Sequence, residues 1–254
     1  MVPEKADTRT FWEHIYRYRF AAPRVKGKKV LDIACGEGYG AAGLLRAGAA
    51  SVVGVDISAE LCEHAARRYG ITARVGDAQN IPLPASSVEV AVSFETIEHL
   101  PQPEKFLDEC VRVLAPGGKL IISTPNREVY RELCPANPYH VQELSRAEFI
   151  ELLLARFGTI ELFTQRPLAV AWWTPCAWAA ERTFWQKLPG FGCLQRRINP
   201  EICDAAPATR ENPVAAILKK TSLRSRWANP YVLRPERTNI RERPVYFLAV
   251  ATRR

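Results

Sequence analysis

The sequence predicts an α/β protein built on a doubly wound, seven-stranded and mostly parallel sheet. Apolar runs of strand length alternate with helical segments along residues 29–165, an order that is typical of a parallel sheet. The first apolar run ends in a glycine-rich turn at 35–40, and the second, 51–56, ends in an acid. With 254 residues, the chain has the length of one α/β domain of ordinary size.

Local signals justify the elements in chain order. Residues 8–22 read as an amphipathic helix. Ser58 is a suitable N-cap for a helix that ends at Gly70. Ser145 and Glu148 have the spacing of a capping box. The predicted strands are 29–34, 51–56, 72–75, 88–94, 118–124, 159–165 and 245–251, and the other helices are 38–48, 103–115 and 145–157, with a Pro-Gly-Gly turn after 103–115.

Two regions of different character follow from this order. Residues 1–165 together with 244–254 are predicted to form a cofactor-binding domain, and 166–243 an insertion. The insertion begins with a tryptophan-rich run, 168–180, which is too short to span a bilayer, and 199–243 is expected to be irregular. Three hypotheses stand for the insertion: a lid over the acceptor pocket, a membrane-contact helix, or a dimer surface. The oligomeric state is left open.

The net charge of +8 is unevenly distributed. Residues 182–254 carry 15 basic and 5 acidic side chains. Such a surface suits phosphates, anionic lipid head groups or nucleic acid, or is simply a solvated basic face. Contact with an anionic head group or a phosphate, and so with an anionic membrane as one case, is favoured by four basic residues close to the aromatic run: Arg182, Lys187, Arg196 and Arg197.

Location is predicted from what the sequence lacks. It shows no signal peptide and no apolar run of spanning length, so a cytoplasmic protein is expected, at most peripheral to the inner membrane face. The seven cysteines are scattered without a Cys-x-x-Cys pair, which indicates reduced core thiols.

The glycine turn is predicted to hold a nucleoside-containing cofactor. Gly36, Gly38 and Ala41 fit the dinucleotide pattern as well, so the glycine spacing alone does not identify the ligand. Asp32 and Glu37 place two carboxylates at the turn, where they would repel a diphosphate. They suit a ligand that carries a sulfonium and an ammonium group, which is S-adenosylmethionine.

Further positions extend this cofactor site. Asp56, at the end of the second strand, can accept hydrogen bonds from two ribose hydroxyls. Asp77 follows the third strand, where a carboxylate could accept from an adenine amino group. Arg17, in the first helix, is a hypothetical partner for the methionyl carboxylate. The complete predicted cofactor set is Asp32, Gly36, Gly38, Asp56, Ile57, Asp77, Ala78, Phe94 and Arg17.

An ordered set of short motifs carries a family resemblance. Asp-x-x-x-Gly-x-Gly, Val-Asp, Gly-Asp-Ala, Glu-His-Leu and Pro-Gly-Gly follow one another along the chain. In this the sequence resembles the class I S-adenosylmethionine-dependent methyltransferases, of types 11 and 23, over about 12–165 and 244–252. It is also similar to methyltransferases of bacterial glycan pathways and to the ubiquinone-pathway O-methyltransferases. The resemblance implies a Rossmann-like fold whose last strand lies antiparallel beside the sixth.

Four residues are the predicted catalytic set. Glu95, Glu98 and His99 have i, i+3, i+4 spacing, which would bring them toward one face of a helical turn. His140, after the fifth strand, could reach the same place. Two carboxylates and two imidazoles can bind Mg²⁺ or another divalent metal that polarises an acceptor hydroxyl. The set looks like the metal site of small-RNA 3′-terminal 2′-O-methyltransferases, although without a metal His99 or His140 could act as a general base.

These observations favour an S-adenosylmethionine-dependent methyltransferase. They favour transfer to oxygen over transfer to nitrogen or carbon. The expected acceptor is a hydroxyl on a small molecule, a sugar or a lipid-linked glycan. The alternative is an RNA 2′-O-methyltransferase with a metal-assisted site, supported by the basic C-terminal third. A cofactor-binding scaffold without activity and a dehydrogenase are the other rivals.

Overall fold

The computed structural model describes residues 8–133, 137–165, 233–235 and 244–254. Its strands form one sheet in the order β3-β2-β1-β4-β5-β8-β6-β7. They are β1 (Lys29–Ile33), β2 (Ser51–Asp56), β3 (Thr72–Val75), β4 (Val88–Phe94), β5 (Leu114–Pro125), β6 (Thr159–Gln165), β7 (Leu233–Pro235) and β8 (Tyr246–Thr252). The helices are α1 (Thr8–Ala21), α2 (Tyr39–Arg46), α3 (Ala59–Tyr69), α4 (Pro103–Val113), α5 (Arg127–Leu133) and α6 (Arg146–Leu154), with 3₁₀ turns at Ala22–Arg24 and Ile97–His99.

Helices cover both faces of this sheet, so the predicted doubly wound α/β fold is confirmed. β1 to β5 pair in parallel, and β8 runs antiparallel between β5 and β6. Alternate strand residues point to opposite faces, which gives two apolar cores. Tyr18 and Leu44 pack into the core under α1 to α3, while Phe106 and Phe149 pack into the core under α4 and α6.

The predicted helix caps are confirmed. The Ser58 hydroxyl accepts from the Leu61 N–H at 3.3 Å, and Gly70 ends α3 in the left-handed region with φ 66°. Ser145 and Glu148 make the reciprocal pair of hydrogen bonds that defines a capping box. Each cap satisfies backbone groups that the helix itself leaves without partners.

The Pro-Gly-Gly segment does not form a separate turn before the fifth strand. It lies inside β5, where the pairing with β4 shifts from Val88 opposite Leu114 to Val90 opposite Lys119. Two residues of β4 therefore match five of β5, and the extra residues bulge out of the ladder. Gly117 occupies the bulge with φ 72°, which L-residues with a side chain rarely adopt.

The structure contains two elements that the sequence analysis does not predict. Helix α5 begins at Arg127, and the Asn126 side chain accepts from the Glu128 N–H at 3.2 Å. β7 adds an eighth strand at the edge of the sheet, inside a stretch that was expected to be irregular. It pairs antiparallel with β6, and nothing in its three residues marks it as a strand.

The predictions for the insertion fall on residues outside the described ranges. They concern the tryptophan-rich run 168–180 and the basic residues 182–197, and they stay predictions. Among the described helices, none combines the length and the apolar character that crossing a membrane requires. Cys35, Cys62 and Cys110 are buried free thiols, as predicted.

Gly40 brings α1 and α2 into close contact, and we expect its replacement by Ala to destabilise the protein. A Cβ at this position would overlap the ring of Tyr18. Ala gains about 1 kcal/mol over Gly in a helix, but overpacking costs about 1–3 kcal/mol, and Tyr18 is held on several sides. Denaturant unfolding of Gly40→Ala should therefore show a net loss.

A double-mutant cycle isolates this contact. In a Tyr18→Ala background, Gly40→Ala should be neutral or stabilising, because the ring is gone and only helix propensity remains. Equal losses in both backgrounds would assign the effect to some other contact of Gly40.

Candidate functional site

The glycine turn connects β1 to α2 and depends on Asp56 for its shape. One Asp56 carboxylate oxygen accepts from the Gly36 N–H at 2.8 Å, and the other accepts from the Ser58 N–H at 3.0 Å. Gly38 caps α2 at φ 83°, and a Cβ there would lie 2.5 Å from the Cβ of Ala65. The end of β2 thus holds the turn that follows β1.

Asp32 lies at the far end of β1 under this turn, with its side chain fully buried. The Tyr18 hydroxyl lies 3.1 Å from both of its carboxylate oxygens. The Tyr18 ring packs edge-on against Tyr39 and Phe94, with centroid distances of 5.8 and 5.0 Å. Helix α1 is therefore joined to the cofactor turn by a buried hydrogen bond, which sequence reasoning did not find.

Three acidic side chains surround the turn, and all are buried. Asp32, Glu37 and Asp56 are at most 8% exposed. Burial, together with the nearby Asp56 charge, raises the pKa of Asp32 to about 8, although hydrogen bonds from Tyr18 and the backbone of Ala41 act in the opposite direction. Such an acidic environment favours a cationic ligand over a diphosphate.

The raised pKa of Asp32 makes stability depend on pH. Its ordinary value is 3.8. The folded state holds this proton more tightly than the unfolded state, so Asp32 stabilises the fold fully below pH 3.8 and loses that contribution as pH rises to about 8. The free energy of unfolding should fall over this window, at most by about 1.4 kcal/mol per pH unit.

Urea unfolding of wild type and Asp32→Asn at a series of pH values measures this contribution. An amide cannot titrate, so the difference between the two proteins should vary with pH across the window. A constant difference would contradict a raised pKa at Asp32.

The other predicted cofactor residues lie near the carboxyl ends of neighbouring strands. Ile57 follows β2 and is 77% exposed, although it is apolar. Asp77 follows β3, and its carboxylate accepts from the Gln79 N–H at 2.8 Å. Ala78 is half-buried beside it, and Phe94 ends β4 in the buried contact with Tyr18. This edge of an open α/β sheet is where ligands bind.

Arg17 is fully buried in α1, close to the ends of β4, β6 and β8. Its Nε donates to the Gln165 side-chain oxygen at 2.8 Å, and its guanidinium lies 4.3 Å above the Tyr246 ring. Its Nη1 is 3.6 Å from a Glu95 carboxylate oxygen, yet neither Nη atom has a hydrogen-bond partner among the described residues. Two buried donors are thus available to an anionic group.

Charges around Arg17 keep it protonated. Burial alone would lower the pKa of Arg17, but Glu95, Tyr246 and Glu13 nearby raise it above its ordinary value. Gln165 also donates to the Glu13 carbonyl at 3.2 Å, which fixes α1 against the end of β6. Sequence reasoning missed this role of Gln165, because the contact joins residues 148 positions apart.

The prediction that Glu95, Glu98 and His99 share one helical face is wrong for Glu95. Glu95 lies in the left-handed region with φ 54°, and the 3₁₀ turn begins only at Ile97. The Glu95 carboxylate instead accepts from the Ser123 hydroxyl at 2.7 Å. Helical spacing does not apply across a residue with left-handed backbone, so Glu95 leaves the face shared by the other two.

Glu98, His99 and His140 come together. Each offers a ligand atom, and these atoms lie within 4.8 Å of one another. The Glu98 carbonyl accepts from the N–H groups of Val141 and Gln142 at 3.0 and 3.1 Å, which holds the segment after Tyr139 against the 3₁₀ turn. The structure therefore joins three of the four predicted catalytic residues, while Glu95 is not part of this group.

Hydrogen bonds orient both imidazoles in the same way. His99 Nδ1 lies 2.7 Å from the Tyr139 carbonyl oxygen, and His140 Nδ1 lies 3.0 Å from a Glu143 carboxylate oxygen. Both partners only accept, so in a neutral ring the hydrogen resides on Nδ1 and Nε2 keeps the lone pair. The rings are 5.0 Å apart between centroids.

Glu98 has an acceptor without a partner. It is fully buried, and its Oε1 atom has no hydrogen bond among the described residues, while Oε2 lies 3.5 Å from the Thr124 hydroxyl. Burial and the neighbouring Glu95 charge raise the pKa of Glu98 well above its ordinary value. A buried acceptor beside two imidazoles fits a divalent cation of the Zn²⁺, Mn²⁺ or Mg²⁺ type.

Comparison with known proteins finds methyltransferases among the matches. Residues 31–122 match the family model described as a methyltransferase domain. A Mycolicibacterium smegmatis protein named "Probable S-adenosylmethionine-dependent methyltransferase" is 42% identical over 146 residues, which is 56% of each chain. A Coxiella burnetii ubiquinone biosynthesis O-methyltransferase is 35% identical over 108 residues, 41% of this chain and 46% of that one.

The solved structures agree in fold. A SAM-dependent methyltransferase from Thermotoga maritima superposes with a TM-score of 0.60 at 17% identity, covering 97% of this chain and 93% of the other. At that identity the likeness concerns the fold alone. The chain spans about half the length of the curated relatives it matches.

Proposed function

Because the chain contains a class I S-adenosylmethionine-dependent methyltransferase domain, we propose that it O-methylates a hydroxyl of a small-molecule, sugar or lipid-linked acceptor. One observation supports the O-directed reaction, namely the group formed by Glu98, His99 and His140 near the ends of β4 and β5. The similarity to a ubiquinone-pathway O-methyltransferase supports it as well.

The donor side of the site matches the charges of the methyl donor. S-adenosylmethionine supplies a methyl group on a positively charged sulfur. Glu37 lies at the turn, and Asp32 would become negatively charged when the cationic donor binds. Asp56 would accept from the ribose hydroxyls, and Arg17 would bind the methionyl carboxylate with its two available Nη donors.

Proton release offers a direct test of this electrostatic match. A cation near Asp32 favours its charged form, so uptake of the donor should release up to one proton near neutral pH. Calorimetry in buffers of different ionisation enthalpy measures that number. Asp32→Asn should abolish the release, and an equal release in both proteins would contradict the role of Asp32.

The acceptor side can activate a hydroxyl. A metal held by Glu98, His99 and His140 would lower the pKa of a bound hydroxyl. Without a metal, either Nε2 lone pair can take the hydroxyl proton as a general base. In both cases the oxygen forms a bond to the methyl carbon as the carbon–sulfur bond breaks, and the sulfur leaves as a neutral thioether.

Labelled donor distinguishes the acceptor classes. The protein is incubated with methyl-labelled S-adenosylmethionine and separate pools of phenols and quinols, free sugars, lipid-linked glycans and RNA, with and without a chelator. We expect label on oxygen in one of the first three pools. Label in RNA alone would favour the 2′-O-methyltransferase alternative, and label only on nitrogen or carbon would reject an O-directed reaction.

Chelator sensitivity is read separately from the acceptor. Loss of transfer that added Mg²⁺ or Mn²⁺ restores would support a metal at the three residues. Full activity with chelator would leave the general-base route.

A further inference from the structure

Glu143 lies directly behind the His140 ring and is itself only 8% exposed. One of its carboxylate oxygens is 3.0 Å from His140 Nδ1, and the other accepts from Arg131 Nε at 3.0 Å. The Arg131 side chain is 63% exposed, so it brings a positive charge to Glu143 from the solvent side. Arg131, Glu143 and His140 thus form a hydrogen-bonded series from the surface to the buried imidazole.

This hydrogen-bonded series determines which nitrogen of the His140 imidazole is free. A carboxylate accepts hydrogen bonds and cannot donate one, so the hydrogen of a neutral His140 must reside on Nδ1. The lone pair then stays on Nε2, the nitrogen that remains for a proton or a metal ion. The hydrogen bond of the second nitrogen sets the tautomer in this way at many histidine sites.

Packing fixes the ring in the same place. Tyr130 stacks on His140 with a centroid distance of 5.1 Å and an interplanar angle of 27°. The backbone of the next two residues is bonded to the Glu98 carbonyl. Stacking restrains the plane of the ring, but it does not choose between the two tautomers, so that choice falls to Glu143.

We propose that Glu143 is a positioning residue, which holds His140 in its Nδ1–H form so that the Nε2 lone pair serves the group formed with Glu98 and His99. Arg131 supports it by keeping a positive charge at the second carboxylate oxygen. The proposal rests on the proposed function only for the use of Nε2, since the tautomer itself can be observed without a metal or an acceptor.

Nitrogen-15 NMR of the histidine side chains in the full chain tests the tautomer. Spectra are recorded without metal at an alkaline pH, where imidazoles are neutral. The chain has four histidines, and His140 is assigned by the signal that His140→Asn removes. Wild type should show the Nδ1–H form at His140, and Glu143→Leu should lose it. Glu151→Gln, an exposed charge change on α6, should match wild type.

Binding of Co²⁺ gives the second measurement. Loss of a carboxylate behind a histidine ligand lowers metal affinity about 10–100-fold, so Glu143→Leu should weaken Co²⁺ binding by that factor and alter its visible spectrum. Glu143→Gln should be affected less, because an amide oxygen can still accept from Nδ1–H. The expected order of Co²⁺ affinity is therefore wild type, then Glu143→Gln, then Glu143→Leu. If Glu143 had a merely structural role, three proteins with similar melting temperatures would not show this order.

The outcomes separate this proposal from the proposed function. A folded Glu143→Leu protein that keeps the Nδ1–H form at His140 overturns the positioning role. If the Glu143→Leu variant does not fold, the Glu143→Ala variant is used for the same measurements. If wild type takes up no Co²⁺, the metal-assisted form of the proposed function fails. A changed tautomer would in that case still support the role of Glu143.

Discussion

Glu98→Gln is expected to reduce methyl transfer by about 10²–10⁴-fold while donor affinity stays within about threefold of wild type. The substitution keeps the shape of the side chain and removes the ionisable carboxyl group that would bind a cation. Because Glu98 is fully buried with one oxygen lacking a partner, a neutral amide costs no more to bury than the carboxylate does. Stability should therefore not fall when activity does.

Methyl transfer is measured as initial rates with the acceptor that the labelling experiment identifies, donor affinity by calorimetry and stability by thermal unfolding. Two matched variants provide the comparison. Glu151→Gln is exposed on α6 and should be silent in all three. Glu95→Gln lies outside the group of three ligand atoms, so it should weaken Co²⁺ binding less than Glu98→Gln does. A Glu98→Gln enzyme with wild-type turnover would remove Glu98 from the proposed reaction.

Asp56→Ala should produce the largest loss of donor binding. A hydrogen bond to a charged group contributes about 1.5–3 kcal/mol, and two ribose hydroxyls would share this carboxylate. A loss of about 3 kcal/mol corresponds to roughly 100-fold weaker affinity. The same carboxylate also accepts from Gly36 and Ser58, so the free energy of unfolding should fall by about 1–3 kcal/mol as well.

Asp56→Asn separates the two effects. The amide keeps one acceptor oxygen for the turn, so the fold should be retained while donor affinity remains low. Asp108→Asn, on α4 at an exposed ion pair with Arg156, is the matched control and should keep wild-type affinity. Donor affinity within threefold of wild type in the Asp56 variants would show that the end of β2 does not contact the ribose.

The fold was predictable because its signals are local. The strand and helix order, the caps at Ser58 and Ser145 and the antiparallel last strand follow from short patterns or from the family resemblance. Helix α5 could have been found too, since Asn126 is a good N-cap residue. The bulge in β5 could not, because it depends on how β4 pairs with that strand.

The site was predictable in its residue types and less so in its geometry. Glu98, His99 and His140 are predicted from the sequence, but with a left-handed backbone at Glu95 the carboxylate of that residue bonds to Ser123 and is not one of the grouped ligand atoms. Glu143 stands three residues after His140, and this spacing could have suggested the pair. The contacts of Tyr18 with Asp32 and of Gln165 with Arg17 join distant parts of the chain, and no local pattern encodes them.

The position of β8 has a consequence for the order of events during synthesis. β8 pairs with both β5 and β6, so on the ribosome these two earlier strands emerge with a gap that only residues 246–252 can fill. Arg17 also needs Tyr246 from this strand as the surface beneath its guanidinium. A nascent chain that ends before β8 should therefore expose unpaired strand edges and depend on chaperones, and the ability to capture the methyl donor should arise only after residues 246–252 have emerged.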